Sequence, residues 1–309
     1  MPLLDVAEGL LRPADPSRFG KVRTRRFAGP AIHAERLTKT IRVAHLTDLH
    51  VGRVTPLRIQ EEAVRLTNAE KPDLVVVTGD FVCHSQKYLD ELGYVIGALE
   101  GPVVCVLGNH DYWSGADEVV RTLERQSALV LRNANTVIEL GGQRLQLVGV
   151  DDAYTGHGDV ERATKGMRSD VPTLGLSHIA EEADALFAHG VPLVLSGHTH
   201  AGQITLARLH ELALGRLVGH KYMHGLYGTR RGDGAVYVGA GLGAAVMPLR
   251  LGARTQREVT IFELGQSPGA FLEDHEEQVA LPGRKPSEKT QFKRMLEVER
   301  KRLKRERSR

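Results

Sequence analysis

Histidine, aspartate and asparagine recur beside small residues in five short segments of the chain. They are Asp48-Leu49-His50, Gly79-Asp80, Gly108-Asn109-His110-Asp111, Ser177-His178 and Gly197-His198-Thr199-His200. Three aspartates, one asparagine and five histidines make a mixed oxygen and nitrogen donor set without cysteine. Such a set suits Mn²⁺, Fe or Zn²⁺ and is a poor match for the all-oxygen shell of Ca²⁺. There are more candidate ligands than one ion takes, which suits two ions about 3.5–4 Å apart sharing a carboxylate. Taken singly, Asp48-x-His50 and Gly79-Asp80 are ordinary turn chemistry. Paired histidines beside glycine have little structural purpose, and the ordered set is far more specific than its parts.

Each segment follows a short apolar run, and that is how the chain positions it. Ile41–Thr47, Asp73–Thr78 and Val103–Leu107 are rich in β-branched or aliphatic residues and read as buried strands. Between them, helices are predicted at 56–69, started by Pro56, and at 86–99. Ser114-x-x-Asp117 predicts a capping box opening a third helix. Alternating strands and helices imply a mostly parallel sheet with ligand sites outside the carboxyl ends of its strands. The middle differs: 136–140 and 143–150, joined by Gly141-Gly142, read as a hairpin. Strands at 172–177, 192–196, about 202–206, 235–239 and 257–263, with a helix near 180–188, mix antiparallel and parallel pairing. His45 reads as a strand residue, and Asp151-Asp152 as a turn with solvated carboxylates.

Hydrophobic residues are 41% of the 309 and charged ones 26%, which excludes a collagen-like, low-complexity or wholly disordered chain. No apolar run approaches the roughly 20 residues of a membrane-spanning helix. Asp5 and Glu8 interrupt the first apolar stretch, where Leu3, Val6, Ala7, Leu10 and Leu11 would share one stripe of a short helix. Cys83 and Cys105 give neither a disulfide framework nor metal spacing and read as buried free thiols. The net charge of +3 hides a division. Residues 1–45 hold nine basic against four acidic side chains and 284–309 hold twelve against four, so the body between them carries 20 against 30. An acidic body suits multivalent cations, and basic ends suit an anionic partner, a membrane surface or nucleic acid.

The ordered set resembles the calcineurin-like metallophosphoesterase superfamily over residues 41–263. Thr47-Asp48-Leu49-His50, Asn109-His110-Asp111-Tyr112-Trp113, Gly197-His198-Thr199-His200-Ala201-Gly202-Gln203 and Val238-Gly239-Ala240-Gly241-Leu242-Gly243 resemble its YkuE-like branch. Some members of that branch hydrolyse UDP-2,3-diacylglucosamine in lipid A synthesis. Two departures are Ala201, where the branch usually has glycine, and the absence of an N-terminal anchor or export signal, which many members carry. The resemblance implies an α/β fold of four layers, αββα, with two facing mixed sheets flanked by helices. It implies a dinuclear-metal phosphoesterase that attacks a phosphomonoester, phosphodiester or pyrophosphate with metal-activated hydroxide. One metal would take Asp48, His50, Asp80 and His200; the other would take Asp80, Asn109, His178 and His198, with Asp80 bridging. His110 would steady the developing charge or protonate the leaving oxygen, and Asp111 would orient it or cap the next helix.

Three segments follow from this reading: an N-terminal extension (1–40), the phosphoesterase domain (41–264), and a linker with a basic tail (265–309). Segment 207–234 sets Leu206, Leu209, Leu212, Leu214, Leu217 and Val218 beside His220, Lys221, Tyr222, Arg230 and Arg231. It suits an acylated, phosphorylated substrate, or else a cap that packs its own leucines. Trp113, the single tryptophan, would stack on a base or sugar or anchor the following helix. Two divalent ions, Mn²⁺ foremost, and a phosphorylated small-molecule or lipid-linked substrate are therefore expected. A nuclease using the basic tail is the second enzymatic reading, although Phe292 is the tail's one aromatic. A scaffold on a dead fold is disfavoured because every ligand and His110 are present. The expected location is cytoplasmic, with loose contact of the basic ends to the anionic inner membrane face.

Overall fold

The computed structural model describes residues 21–83, 85–202, 219–228, 233–244, 255–265, 278 and 280–307, and in it two six-stranded sheets face each other. Strands β1 (Arg23–Ala28), β2 (Ile41–Leu46), β3 (Leu74–Thr78), β4 (Val103–Val106) and β5 (Leu129–Val130) belong to the first sheet. The second holds β6 (Ala134–Leu140), β7 (Gln143–Val150), β8 (Thr173–Ser177), β9 (Leu193–Ser196), β10 (Gly225–Tyr227) and β11 (Ala235–Val238). A last strand, β12 (Glu258–Leu264), returns to the first sheet. The orders are β1-β12-β2-β3-β4-β5 and β10-β11-β9-β8-β7-β6. Strands β2 to β5 run parallel in one sheet and β7, β8, β9 and β11 in the other, so each sheet is a parallel core with antiparallel additions.

All five residues of β3 are buried because both faces of the sheet are covered. Leu74 and Val76 join Val43, Val106, Leu147 and Leu174 in the core between the sheets. Val75 and Val77 turn the other way, against α2 (Leu57–Ala69), α3 (Leu89–Gly97) and α5 (Ala116–Arg125). A third cluster packs Val148, Val150, Val194 and Val236 under α6 (Val160–Thr164) and α7 (Ala183–Ala188). These are the four layers.

Two expectations change. Ser114 does not cap the third helix; it closes α4 (Asn109–Ser114), and Gly115, at φ 114°, separates α4 from α5. Only a residue tolerant of positive φ ends one helix and starts another there. Residues 23–28, set apart in the sequence as part of an extension, form β1 and pair with β12. Phe27 anchors them, its ring 5.1 Å from Tyr237 and 5.4 Å from Phe262. Burying such a ring stabilises by roughly 1.5–3 kcal/mol. The helix expected at 3–11, and the strand expected at 202–206 beyond Gly202, lie outside the described residues.

Helix α1 (Ala31–Arg36) buries His33, whose Nε2 lies 2.9 Å from the Thr173 carbonyl. Burial pushes this imidazole down to about 4. The unfolded chain takes up a proton near 6.5 that the folded one refuses, so stability is flat above 6.5 and falls as pH drops towards 4. Wild type is therefore expected to lose about 2 kcal/mol more between pH 7 and pH 5 than His33→Gln, as read by urea unfolding. Equal losses would mean that the ring is solvated in the folded protein.

Candidate metal centre

The carboxyl ends of β2, β3 and β4 meet those of β8 and β9 across the gap between the sheets. Asp80 stands at the middle. Its Oδ2 is 3.4 Å from both His50 Nε2 and His178 Nε2, and 4.0 Å from His110 Nε2. Asp48 Oδ1 lies 3.4 Å from His200 Nε2 and 4.0 Å from His50 Nε2. Ligand atoms within 4.8 Å of one another fall into three groups among the described residues: Asp48, His50, Asp80 and His200; Asp80, His178 and His198; and His50, Cys83 and His110. Asp80 belongs to the first two.

The donor chemistry fits divalent ions. His50 Nε2 and His200 Nε2 are 3.0 Å apart, a separation at which two bare lone pairs repel unless a proton or a cation lies between them. Asn109 Oδ1 and His178 Nε2 are buried without a hydrogen-bond partner among the described residues. Burial pushes His50 down to about 4 and, together with the neighbouring His178 and His220, holds His198 well below its usual range. Both are thus neutral imidazoles, the form that binds metal. Burial alone would lower His178 too, but the carboxylates of Asp80, Asp48 and Asp152 raise it to about 10. The negative charge that raises it is the charge that favours a cation.

A second set of bonds aims the ligands. His178 Nδ1 donates to the Thr78 carbonyl at 2.8 Å, which turns Nε2 towards Asp80. Asp48 Oδ2 accepts from Thr47 Oγ1 at 2.8 Å and from the His198 amide at 3.1 Å. Asp80 Oδ1 accepts the His110 amide at 2.8 Å. Asp48, His50, Asp80, His198 and His200 all have φ between 43° and 74°, in the left-handed region that non-glycine residues avoid. Strain concentrated this way persists only where the surroundings over-determine it. Ala201 shares it at φ 51°, a conformation that glycine adopts without a steric cost. Gly108 is required for another reason: a Cβ there would stand 2.4 Å from Asp80 Oδ1.

His110 sits at the rim, ring centre 4.7 Å from those of His50 and Trp113. Asp111 is fully buried and spends its carboxylate on the backbone: Oδ2 accepts the amides of Asp80 (3.0 Å) and Gly108 (2.9 Å), Oδ1 that of Phe81 (2.8 Å). It clamps the loop carrying Asp80 onto α4. Burial and the Asp80 charge push it up to about 8, while the amide donors pull the other way. His45 is a buried strand residue bonded to Thr78 Oγ1. Asp151 and Asp152 do form a turn, but not a solvated one. Asp151 holds Tyr112 and Arg132, Asp152 accepts from Thr155, and both are buried because the turn folds under α4 and α6.

The leucine-rich part of segment 207–234, with Leu206, Leu209, Leu212, Leu214, Leu217, Val218, Arg230 and Arg231, lies outside the described residues. Of its neighbours, Lys221 and Tyr222 are held by Asp184 on α7. His220 instead approaches the site, its ring 5.3 Å from that of His198 and its Nδ1 3.2 Å from Glu181. Two further side chains stand at the site: Tyr154, which the sequence reading did not single out, and Cys83, which it took for a buried thiol away from any ligand set. Tyr154 stands 5.2 Å from the His198 ring, and half-buried Cys83 lies beside His50 and His110, with burial and Asp80 raising its thiol to about 11. Nothing local marks either; loops 27 to 44 residues apart bring them in.

These layers and this centre define a metallophosphoesterase. The sequence pattern of calcineurin-like phosphoesterases matches residues 41–202, and the chain belongs to that family. An uncharacterised metallophosphoesterase of Helicobacter pylori strain J99 is 31% identical over 228 residues, 71% of this chain and 59% of that one. The chain thus spans less than two thirds of that relative. YkuE of Bacillus subtilis, also described as an uncharacterised metallophosphoesterase, is 29% identical over 72% of this chain and 78% of its own. Phosphodiesterase YaeI of Escherichia coli K12 is 29% identical over 72% of this chain and 82% of its own.

Proposed function

We propose that the protein is a two-metal phosphoesterase for a phosphorylated small molecule or a lipid-linked phosphate such as a UDP-2,3-diacylglucosamine-type precursor. The observation that carries this reading is Asp80, one carboxylate oxygen 3.4 Å from a histidine of each ligand group. Asp48, His50, Asp80 and His200 would hold one ion, and Asp80, Asn109, His178 and His198 the other; Mn²⁺ fits best, with Fe or Zn²⁺ also matching the donors. Bound there, the ions would neutralise phosphate oxygens and lower the pKa of a water. The chain's own part is positional. His110 faces the rim where a leaving oxygen would emerge, and His178 and Asp48 are held rigid by their bonds to Thr78 and Thr47. Buried strands on both sides keep the centre dry, which strengthens every charge interaction in it.

No helix among the described residues is long and apolar enough to cross a membrane. The basic helix α8 (Glu288–Glu306) exposes Phe292, Met295, Leu296 and Leu303 beside Lys293 and Arg300. That supports a cytoplasmic enzyme touching an anionic membrane face, where an acylated substrate resides. One turnover series tests the reading, comparing bis-p-nitrophenyl phosphate, UDP-diacylglucosamine and single-stranded DNA on Mn²⁺-loaded protein. Chelator-sensitive hydrolysis of a small ester is expected, with the acylated substrate cleaved faster in anionic than in neutral vesicles. No hydrolysis of any of the three would remove the reading; cleavage of DNA alone would turn it to a nuclease.

A further inference from the structure

Helix α8 docks on the body with the wrong face for an amphipathic helix. Four of its apolar side chains are exposed, Phe292 at 61% and Leu296 at 51% among them, and only Val298 packs inward. Its partly buried residues are Arg294, Glu297, Val298, Glu299, Lys301 and Arg305, and all but Glu299 lie at the spacing of one helical face. A stripe with three cations would ordinarily stay in water. Here it lies over two aromatic rings that flank the metal centre. The Arg294 guanidinium carbon is 3.6 Å from the ring centre of Tyr154, and the Lys301 ammonium 4.1 Å from that of Trp113. Arg305 Nη1 donates to the Trp113 carbonyl and fixes the register.

Those rings touch the site histidines. Tyr154 is 5.2 Å from His198, Trp113 is 4.7 Å from His110, and the two aromatics are 6.0 Å apart. Adding the separations along each path keeps the Arg294 guanidinium carbon within about 9 Å of the His198 ring centre. The same holds for the Lys301 ammonium and His110. A cation resting on a ring face uses none of its N–H donors there. Glu297, 3.2 Å away, takes one from Lys301; no carboxylate among the described residues pairs with Arg294.

We propose that the inner face of α8 is the second anion subsite of the active site: Arg294 and Lys301 bind a negatively charged group of the substrate that lies beyond the phosphate being cleaved. This rests on the phosphoesterase reading of the same centre. It assigns the substrate a class, a phosphoester carrying a further phosphate or carboxylate within reach of the first. It also explains a cationic stripe facing inward, since the acidic body and the incoming anion both favour it.

Trp113 is the single tryptophan and lies between His110 and Lys301, so its fluorescence reports binding without turnover. The full-length, Mn²⁺-loaded protein is titrated with fructose 1,6-bisphosphate and with fructose 6-phosphate. Wild type is expected to prefer the bisphosphate about tenfold, the size one charge-assisted contact confers at a part-exposed site. Arg294→Gln/Lys301→Gln should lose that preference, and Arg294→Lys/Lys301→Arg, which keeps both charges, should retain most of it. An equal preference in wild type and the glutamine variant would overturn the subsite, as would a wild type with none. Turnover of bis-p-nitrophenyl phosphate that rises in the glutamine variant would also overturn it, making α8 a cover instead. Failure of wild type to bind even fructose 6-phosphate would strike the phosphoesterase reading itself.

Discussion

Asp80→Asn is expected to leave the protein folded, without either metal, and at least roughly 10³-fold less active. Asparagine keeps the shape of the side chain and tolerates the φ of 55° at this position, so the loop has no reason to rearrange. Its amide oxygen can still accept the His110 amide that Asp80 Oδ1 now holds at 2.8 Å. What disappears is the charge, and that charge is shared: Oδ2 stands 3.4 Å from His50 and from His178, one in each ligand group. Losing several kcal/mol of charge stabilisation corresponds to the loss in rate given above. Metal analysis beside a thermal melt is the check. Two ions per chain at full occupancy in a folded Asp80→Asn would sink the bridging assignment. Asp80→Ala is expected to lose the metals too, with added destabilisation of about 1–3 kcal/mol from the orphaned His110 amide.

His110→Ala separates chemistry from metal binding. The ring is held edge-on to both His50 and Trp113 and lies 4.0 Å from Asp80 Oδ2, beyond hydrogen-bond distance. It therefore stands beside the centre, where it can steady the developing charge or give a proton to the leaving oxygen. Its removal is expected to lower kcat by roughly 10²–10⁴-fold with both metals retained. The loss should shrink for esters with acidic leaving groups, which depart without a proton. A plot of log kcat against leaving-group pKa should be steeper in the variant than in wild type. Parallel lines would remove His110 as the proton donor, and loss of metal from the variant would make it a ligand.

The candidate ligand set and the core were legible in the sequence because both are written locally. An apolar run followed by a polar junction marks a parallel strand whose end carries function. β2, β3, β4, β8 and β9 all read so, and their ends carry Asp48, Asp80, Asn109, His178 and His198. The Gly141-Gly142 hairpin was equally plain, since turn and strand periods lie within 20 residues of each other. The tertiary structure decided what depends on partners far along the chain. β1 joins the sheet because Phe27 meets Tyr237 and Phe262, more than 200 residues away, and no local period in 23–28 announces that. Asp111 sits beside His110 in sequence, yet its bonds go to Asp80 and Phe81 across a crossover. Asp151 and Asp152 look like solvated turn residues until helices cover them. Helix α8 is the sharpest case. Its composition shows a basic helix with an apolar stripe, and burial alone would press the stripe inward. Only the placement of Tyr154 and Trp113 beside an acidic, ligand-rich centre makes the cationic face the one that docks.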